Sequence, residues 1–258
     1  MIPDAVWLAL SLVTACVVWY FLSKGEVTGR SFLPLVEVFE SYFDMSQPRD
    51  MGGRGVFWSD VKSSLISAGC GFALGFIYGV PVAFLMAWYR PLRYIVEPWI
   101  QFVRNIPPLA YVPLVVIALG VGRAPQIAVI CLATFLTITI TVYQGVTNVD
   151  NTLIKAARVL GARNDVVIFL KVIFPATMPY IITAIRLGIS VALTTLIAAE
   201  STGASAGLGM RIRALSSEFY VEAMMLYIIV VGIIGIAAEN VLRFFERRLT
   251  SWQEKRNA

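Results

Sequence analysis

Residues 124–147 run for the length of a membrane-crossing helix without one Asp, Glu, Lys or Arg, and similar apolar stretches recur at about 4–22, 62–88, 107–121, 174–199 and 221–243. Crossing roughly 30 Å of hydrocarbon takes ~20 apolar residues as helix, and in lipid each segment must satisfy its own peptide groups. Repetition of such runs predicts an all-α polytopic membrane protein with about six spans, the third of them short. The composition agrees, with 58% hydrophobic residues, 14% charged and a mean hydropathy of +0.77, where soluble domains carry about 25% charge. We expect a single membrane domain over 1–258, with its core at about 60–250. An outer loop is expected at 23–61 and an inner loop at 149–173.

Basic residues set the orientation. Placing both termini and the 149–173 loop on one side collects Arg90, Arg93, Arg104, Lys155, Arg158, Arg163, Lys171, Arg243, Arg247, Arg248, Lys255 and Arg256 there. The opposite loops hold Lys24, Arg30, Arg49, Arg54, Arg123, Arg211 and Arg213. The richer side is predicted to be cytoplasmic. Only Ile-Pro-Asp separates Met1 from the first apolar run, so a retained anchor is expected rather than a cleaved signal. The net charge of +5 is then mostly this positive-inside bias. Basic residues are not interleaved with aromatics on one surface, so a nucleic-acid partner is not expected.

Several chemistries lack their residues. Cys16, Cys70 and Cys131 are widely spaced inside apolar runs and are expected to be packing residues. Histidine is absent, which removes the commonest metal ligand and general base. No G-x-x-x-x-G-K-[ST] run occurs, so ATP is not bound here by a Walker site. No cofactor, metal or catalytic residue is assigned, and the acid noted at a span end is Glu200. A membrane enzyme is therefore disfavoured.

The inner loop opens with NTLIKAARVLGARN, residues 151–164. Asp150 or Asn151 is placed to cap a helix on which Leu153, Ala157 and Leu160 share a face, with Lys155, Arg158 and Arg163 on others. Gly161 supplies a left-handed helix stop, and Asn164 or Asp165 can cap a second helix reaching Pro175. The bare Ala156-Ala157 pair lets this helix lie close to another surface. Two readings stay open on pattern alone: an interfacial helix resting on the lipid bilayer, or a docking helix for a partner protein.

Small and polar residues mark the spans. Gly71, Gly75 and Gly79 recur every four residues and allow close helix approach. Thr134, Thr137, Thr141 and Gln144 follow helical spacing, as do Thr183, Arg186, Ser190 and Thr194. Hydroxyls in membrane helices often bond their own backbone, so either packing or a polar pathway explains these stripes. Arg186 requires a partner, a watery cavity or a route to the cytoplasmic interface. Glu200 either caps its helix or takes part in gating.

KAARVLGARNDVVIFLKVIFP (155–175) resembles the cytoplasmic loop of bacterial ABC importer permeases, whose signature is Glu-Ala-Ala, three residues, Gly, nine residues and Ile-x-Leu-Pro. Ala156, Ala157, Gly161 and Pro175 match. Lys155 replaces the Glu, Phe174 replaces the Leu, and the Gly-to-Pro interval is one residue longer. One extra helical residue rotates the remainder of the helix by ~100°, so either the 162–165 turn absorbs it or the second helix faces differently. VRNIPPLAYVPLVVIALGVG (103–122), PYIITAIRLGISVALTTLIAAE (179–200) and GASAGLGMRI (203–212) are similar to permeases of the nitrate, sulfonate and taurine importer group. The resemblance implies a type I permease fold in the bacterial inner membrane. It also implies two permease copies, expected as a homodimer, with cytoplasmic ATPase subunits on the loop and an extracytoplasmic binding protein delivering a small anion or zwitterion. The implied coupling residues are Leu153, Lys155, Ala156, Ala157, Arg158, Leu160, Gly161 and Pro175. The expected pathway residues are Thr137, Thr141, Thr183, Arg186, Ser190, Thr194 and Glu200. The alternatives are a stand-alone channel or secondary transporter, or a permease for a vitamin precursor or other small organic solute.

Overall fold

The computed structural model describes residues 4–25, 33–47, 55–162 and 164–249, and regular structure among them is entirely helical. Helix α1 (Asp4–Ser23) is followed by a short amphipathic helix, α2 (Leu35–Ser46). The further apolar segments become α3 (Phe57–Trp88), α5 (Pro108–Leu119), α6 (Arg123–Thr147), α9 (Phe174–Gly203) and α11 (Val221–Leu249), with the amphipathic α4 (Arg90–Arg104) between α3 and α5. Between them lie α7 (Asn151–Val159), α8 (Asp165–Ile168) and α10 (Leu208–Ser217). Among the described residues, four helical stretches are long and apolar enough to cross a membrane, and α4 with α5 makes a fifth if that bent pair is one span.

The pair bends by 103° for a local reason. Pro107 has no N–H, biases Ile106 away from helical backbone, and is followed by Pro108 at the first position of α5. The sequence anticipated a short third span but not that α4 before it would be helical. Nor did it anticipate α2, whose Val38 and Met45 are buried against Phe57, Leu208, Leu215 and Tyr227.

The core lies where α3, α6 and α9 meet, around Ala83, Met86, Leu136, Ile138, Ile140, Ile181 and Ala184. The glycine stripe makes this contact possible. A Cβ at Gly75 would fall 2.0 Å from Thr134 Oγ1 and 2.9 Å from the backbone N of Phe135. Thr139 Oγ1 donates to Gly79 O at 3.3 Å, so the close approach also satisfies a buried hydroxyl. The cysteines depart from expectation: Cys16 and Cys70 are on the exposed surface and Cys131 is half-buried.

Candidate functional site

The 149–173 loop is organised by local chemistry. Asp150 Oδ1 accepts from Thr152 N–H at 2.8 Å and caps α7, and that backbone hydrogen bond, before any other cause, holds its carboxyl below the usual range. At the other end Gly161 has φ +96°. Gly161 N–H donates to Arg158 O at 3.1 Å and Ala162 N–H to Ala157 O at 3.0 Å, the paired closing bonds of a Schellman stop. Asn164 Oδ1 caps α8 by accepting from Val166 N–H at 2.9 Å. Arg158 Nη2 pairs with Asp165 Oδ1 at 3.4 Å across the turn.

No residue of α7 is buried. Leu153, Ala156, Ala157 and Leu160 line one wall of a groove of about 620 Å³, with Val172, Pro175 and Ala176 opposite. The alanine pair keeps that groove open, while Lys155 does not line it. Leu160 and Val159 are each 87% exposed, and Val159 was not singled out from sequence because it falls off the Leu153 face. Arg163 lies outside the described residues.

The longer Gly161–Pro175 interval is accommodated in neither expected way. Phe169–Ile173 form a π turn, closed by Phe174 N–H on Phe169 O, and such a turn takes up one extra residue inside a helix. Asp165 to Gly203 therefore forms one 39-residue helical stretch. Pro175, at the second position of α9, reaches the groove beside α7.

The polar stripes divide. Thr137, Thr141, Thr183 and Thr194 donate to Ala133 O, Thr137 O, Pro179 O and Ser190 O, each four residues earlier on its own helix. Ser190, like Thr183 and Thr194, is exposed in the isolated chain. Thr137 and Thr194 also line a cavity of about 210 Å³ with Arg104, Tyr111 and Thr195, at the α4–α5 corner. Arg104, counted from sequence as an inner-loop charge, thus stands beside a pathway candidate. Arg186 meets α11: it hydrogen-bonds Glu246 Oε2, and its Nε lies 3.4 Å from Glu239 Oε1 in a charge contact without hydrogen-bond geometry. Sequence reasoning passed over Glu239, an acid inside the last apolar run and the available signal for that pairing.

Glu200 is wholly buried in a polar network where the start of α3 meets the end of α9. Its carboxylate accepts from Ser64 Oγ at 2.7 and 2.9 Å and from Gly209 N–H at 2.8 Å. Ser64 Oγ in turn accepts from Leu208 N–H at 2.8 Å. Beside it Asp60 accepts from Gly207 N–H at 3.1 Å, Arg211 Nε at 2.8 Å and Tyr227 OH at 3.1 Å. Glu200 is therefore an anchor for the glycine-rich turn and the start of α10.

These features add up to helices around cavities of mixed apolar and polar lining, with an exposed helix pair on one face and no metal-binding cluster among the described residues. The model of the family described as "Binding-protein-dependent transport system inner membrane component" matches residues 79–251. A probable ABC transporter permease protein of Brucella abortus is 41% identical over 92% of this chain and 91% of its own. The taurine transport system permease protein TauC of Escherichia coli is 32% identical over 94% and 88%. A solved amino acid ABC transporter with histidines superposes with a TM-score of 0.63 at 19% identity, over 74% of this chain and 93% of its own, and so shares the fold. Permeases of this family work with ATPase subunits and a substrate-binding protein and are not themselves enzymes. The chain belongs to the binding-protein-dependent transport system inner membrane component family and is a multi-pass inner-membrane permease subunit of an ABC importer.

Proposed function

We propose that α7 is the surface gripped by the ATPase and that two copies of this chain import a small anion or zwitterion, of the nitrate, alkanesulfonate or taurine kind. In this reading α1 and the bent α4–α5 pair both cross, which makes six spans, and cytoplasmic termini put α7 on the ATPase side, in keeping with the positive-inside bias. Leu153, Lys155, Ala156, Ala157, Arg158, Leu160 and Gly161 form the gripped element, and Pro175 seats it against the long helix. One observation carries this reading: an unburied helix followed by a closed turn, with two 87% exposed apolar residues at its end, leads into a 39-residue helical stretch that runs on to the Glu200 network. Closure of two ATPases on ATP moves α7, and the stretch Asp165–Gly203 carries that displacement to the Glu200 anchor. No bond is made or broken in this chain.

A cysteine at Ala157 should crosslink to a nucleotide-hydrolysing subunit in intact membranes, and Ala157→Trp should abolish ATP-driven uptake while leaving the permease in the membrane. Normal uptake by Ala157→Trp, or absence of the crosslink, would overturn the proposal.

A further inference from the structure

The cavity at the α4–α5 corner has a composition that packing does not explain. Thr137 lies about 21 Å along α6 from Arg123 and about 15 Å from Thr147, and Thr194 lies about 14 Å along α9 from Gly203, at 1.5 Å per residue. The cavity they share with Arg104 is therefore at membrane depth. The guanidinium groups that are packed between helices in this chain are neutralised: Arg211 meets Asp60 and Arg186 meets Glu239 and Glu246. Arg104 is exposed in the isolated chain and forms no hydrogen bond or ion pair among the described residues, and no acidic side chain lines the cavity it borders. A guanidinium at this depth is costly without a counter-charge or water.

The other donors point the same way. The hydroxyl of Tyr111 has no hydrogen-bond partner among the described residues. Thr195, 2% exposed, has a buried Oγ1 with no partner. Thr195 Oγ1 is thus a buried donor without an acceptor, and Arg104 and the Tyr111 hydroxyl are accessible donors with no protein partner, whereas Thr137 and Thr194 spend their protons on their own helices. A positive fork with neutral O–H donors complements an oxyanion. At about 210 Å³ the space lies below the ~300–1,000 Å³ of drug-sized pockets and fits a compact solute.

We infer that Arg104, with Tyr111 and Thr195, forms a binding subsite within one protomer for the acidic group of the transported solute, a sulfonate, carboxylate or similar oxyanion. This deepens the import proposal above and rests on it. Arg104 is then the residue that discriminates by charge, and passage through the subsite requires a negatively charged group on the solute.

The test uses the full-length chain in bacterial membranes, with Cys16, Cys70 and Cys131 changed to Ser and Thr194→Cys as reporter. Modification rates are compared for 2-sulfonatoethyl methanethiosulfonate and its 2-(trimethylammonio)ethyl analogue. The anionic reagent should be favoured, and Arg104→Gln should lower the anion-to-cation rate ratio by about tenfold, the low end of the enrichment a focused charge produces. Arg104→Lys should retain most of the ratio, which a merely structural arginine would not require. Millimolar methanesulfonate should slow modification in the Arg104 chain and not in Arg104→Gln. A ratio unchanged within twofold, or no reaction with either reagent, overturns the inference. Loss of the Ala157 crosslink instead sinks the import proposal and leaves this ratio as it is.

Discussion

Removing the Asp60 carboxylate should loosen the α10 end of the molecule without disturbing its centre. Asp60 is 1% exposed and Arg211 19% exposed, and one carboxylate serves Arg211, Tyr227 and the Gly207 amide. Asp60→Ala strands all three donors, and breaking a buried pair by deleting one partner costs ~3–5 kcal/mol. Asp60→Asn keeps one acceptor oxygen and should cost less, ~1.5–3 kcal/mol for the lost charge-assisted bonds. The expense falls locally, because Gly207 begins the connection into α10 and Arg211 is on that helix. Opening of 203–217 should therefore become about 100-fold or more easier in Asp60→Ala, from 3 kcal/mol at roughly 1.4 kcal/mol per factor of ten. Hydrogen-exchange mass spectrometry of the chain in nanodiscs reads this from the peptide spanning that segment. Replacing both partners, Asp60→Leu with Arg211→Met, should recover part of the protection because no unpaired charge is left behind. A change below about threefold in Asp60→Ala, or a double variant worse than the single one, would refute the assignment of this network as the clamp on α10.

Gly75→Val should separate α3 from α6, since the new Cβ meets a backbone nitrogen at 2.9 Å as well as Thr134. A loss of ~1–3 kcal/mol is expected, and thermal unfolding in nanodiscs matching the parent would contradict it. Gly161→Val has open space around its Cβ but must hold φ near +96°, a backbone cost of ~1–2 kcal/mol. Solute imported per ATP hydrolysed should fall, and an unaltered ratio would remove the 160–162 turn from the coupling route. Arg186→Gln removes the cation shared by Glu239 and Glu246 and leaves Glu239 its contact with Arg243 at 3.2 Å; with the guanidinium side chain 41% exposed, solvent screening holds the loss to ~1 kcal/mol or less. Glu239→Gln added to it should restore part of that loss, and strict additivity of the two melting shifts would show the charges are uncoupled.

Whatever depends on near neighbours along the chain is legible in the order of residues alone. Long uncharged runs leave a chain no alternative to membrane helices, because hydrocarbon offers the backbone no other partner. The caps at Asp150 and Asn164 and the stop at Gly161 follow from side chains acting on amides within a few residues. Features that join residues far apart in sequence depend instead on how the helices pack. Arg186 became an ion-pair residue because α11 returns Glu239 and Glu246 to its side. Glu200 became an anchor because α3 brings Ser64 against the glycine-rich turn. Arg104, one more basic residue when counted along the chain, acquired its place because the Pro107–Pro108 break swings α4 toward Thr137 and Thr194. The π turn at Phe169–Ile173 belongs to the same class: a one-residue surplus is visible in the sequence, but where a helix absorbs it depends on how Pro175 and α7 must meet. Local propensity acts over one helical turn, whereas the partner of a charge or the wall of a cavity is set by packing that the linear order does not contain.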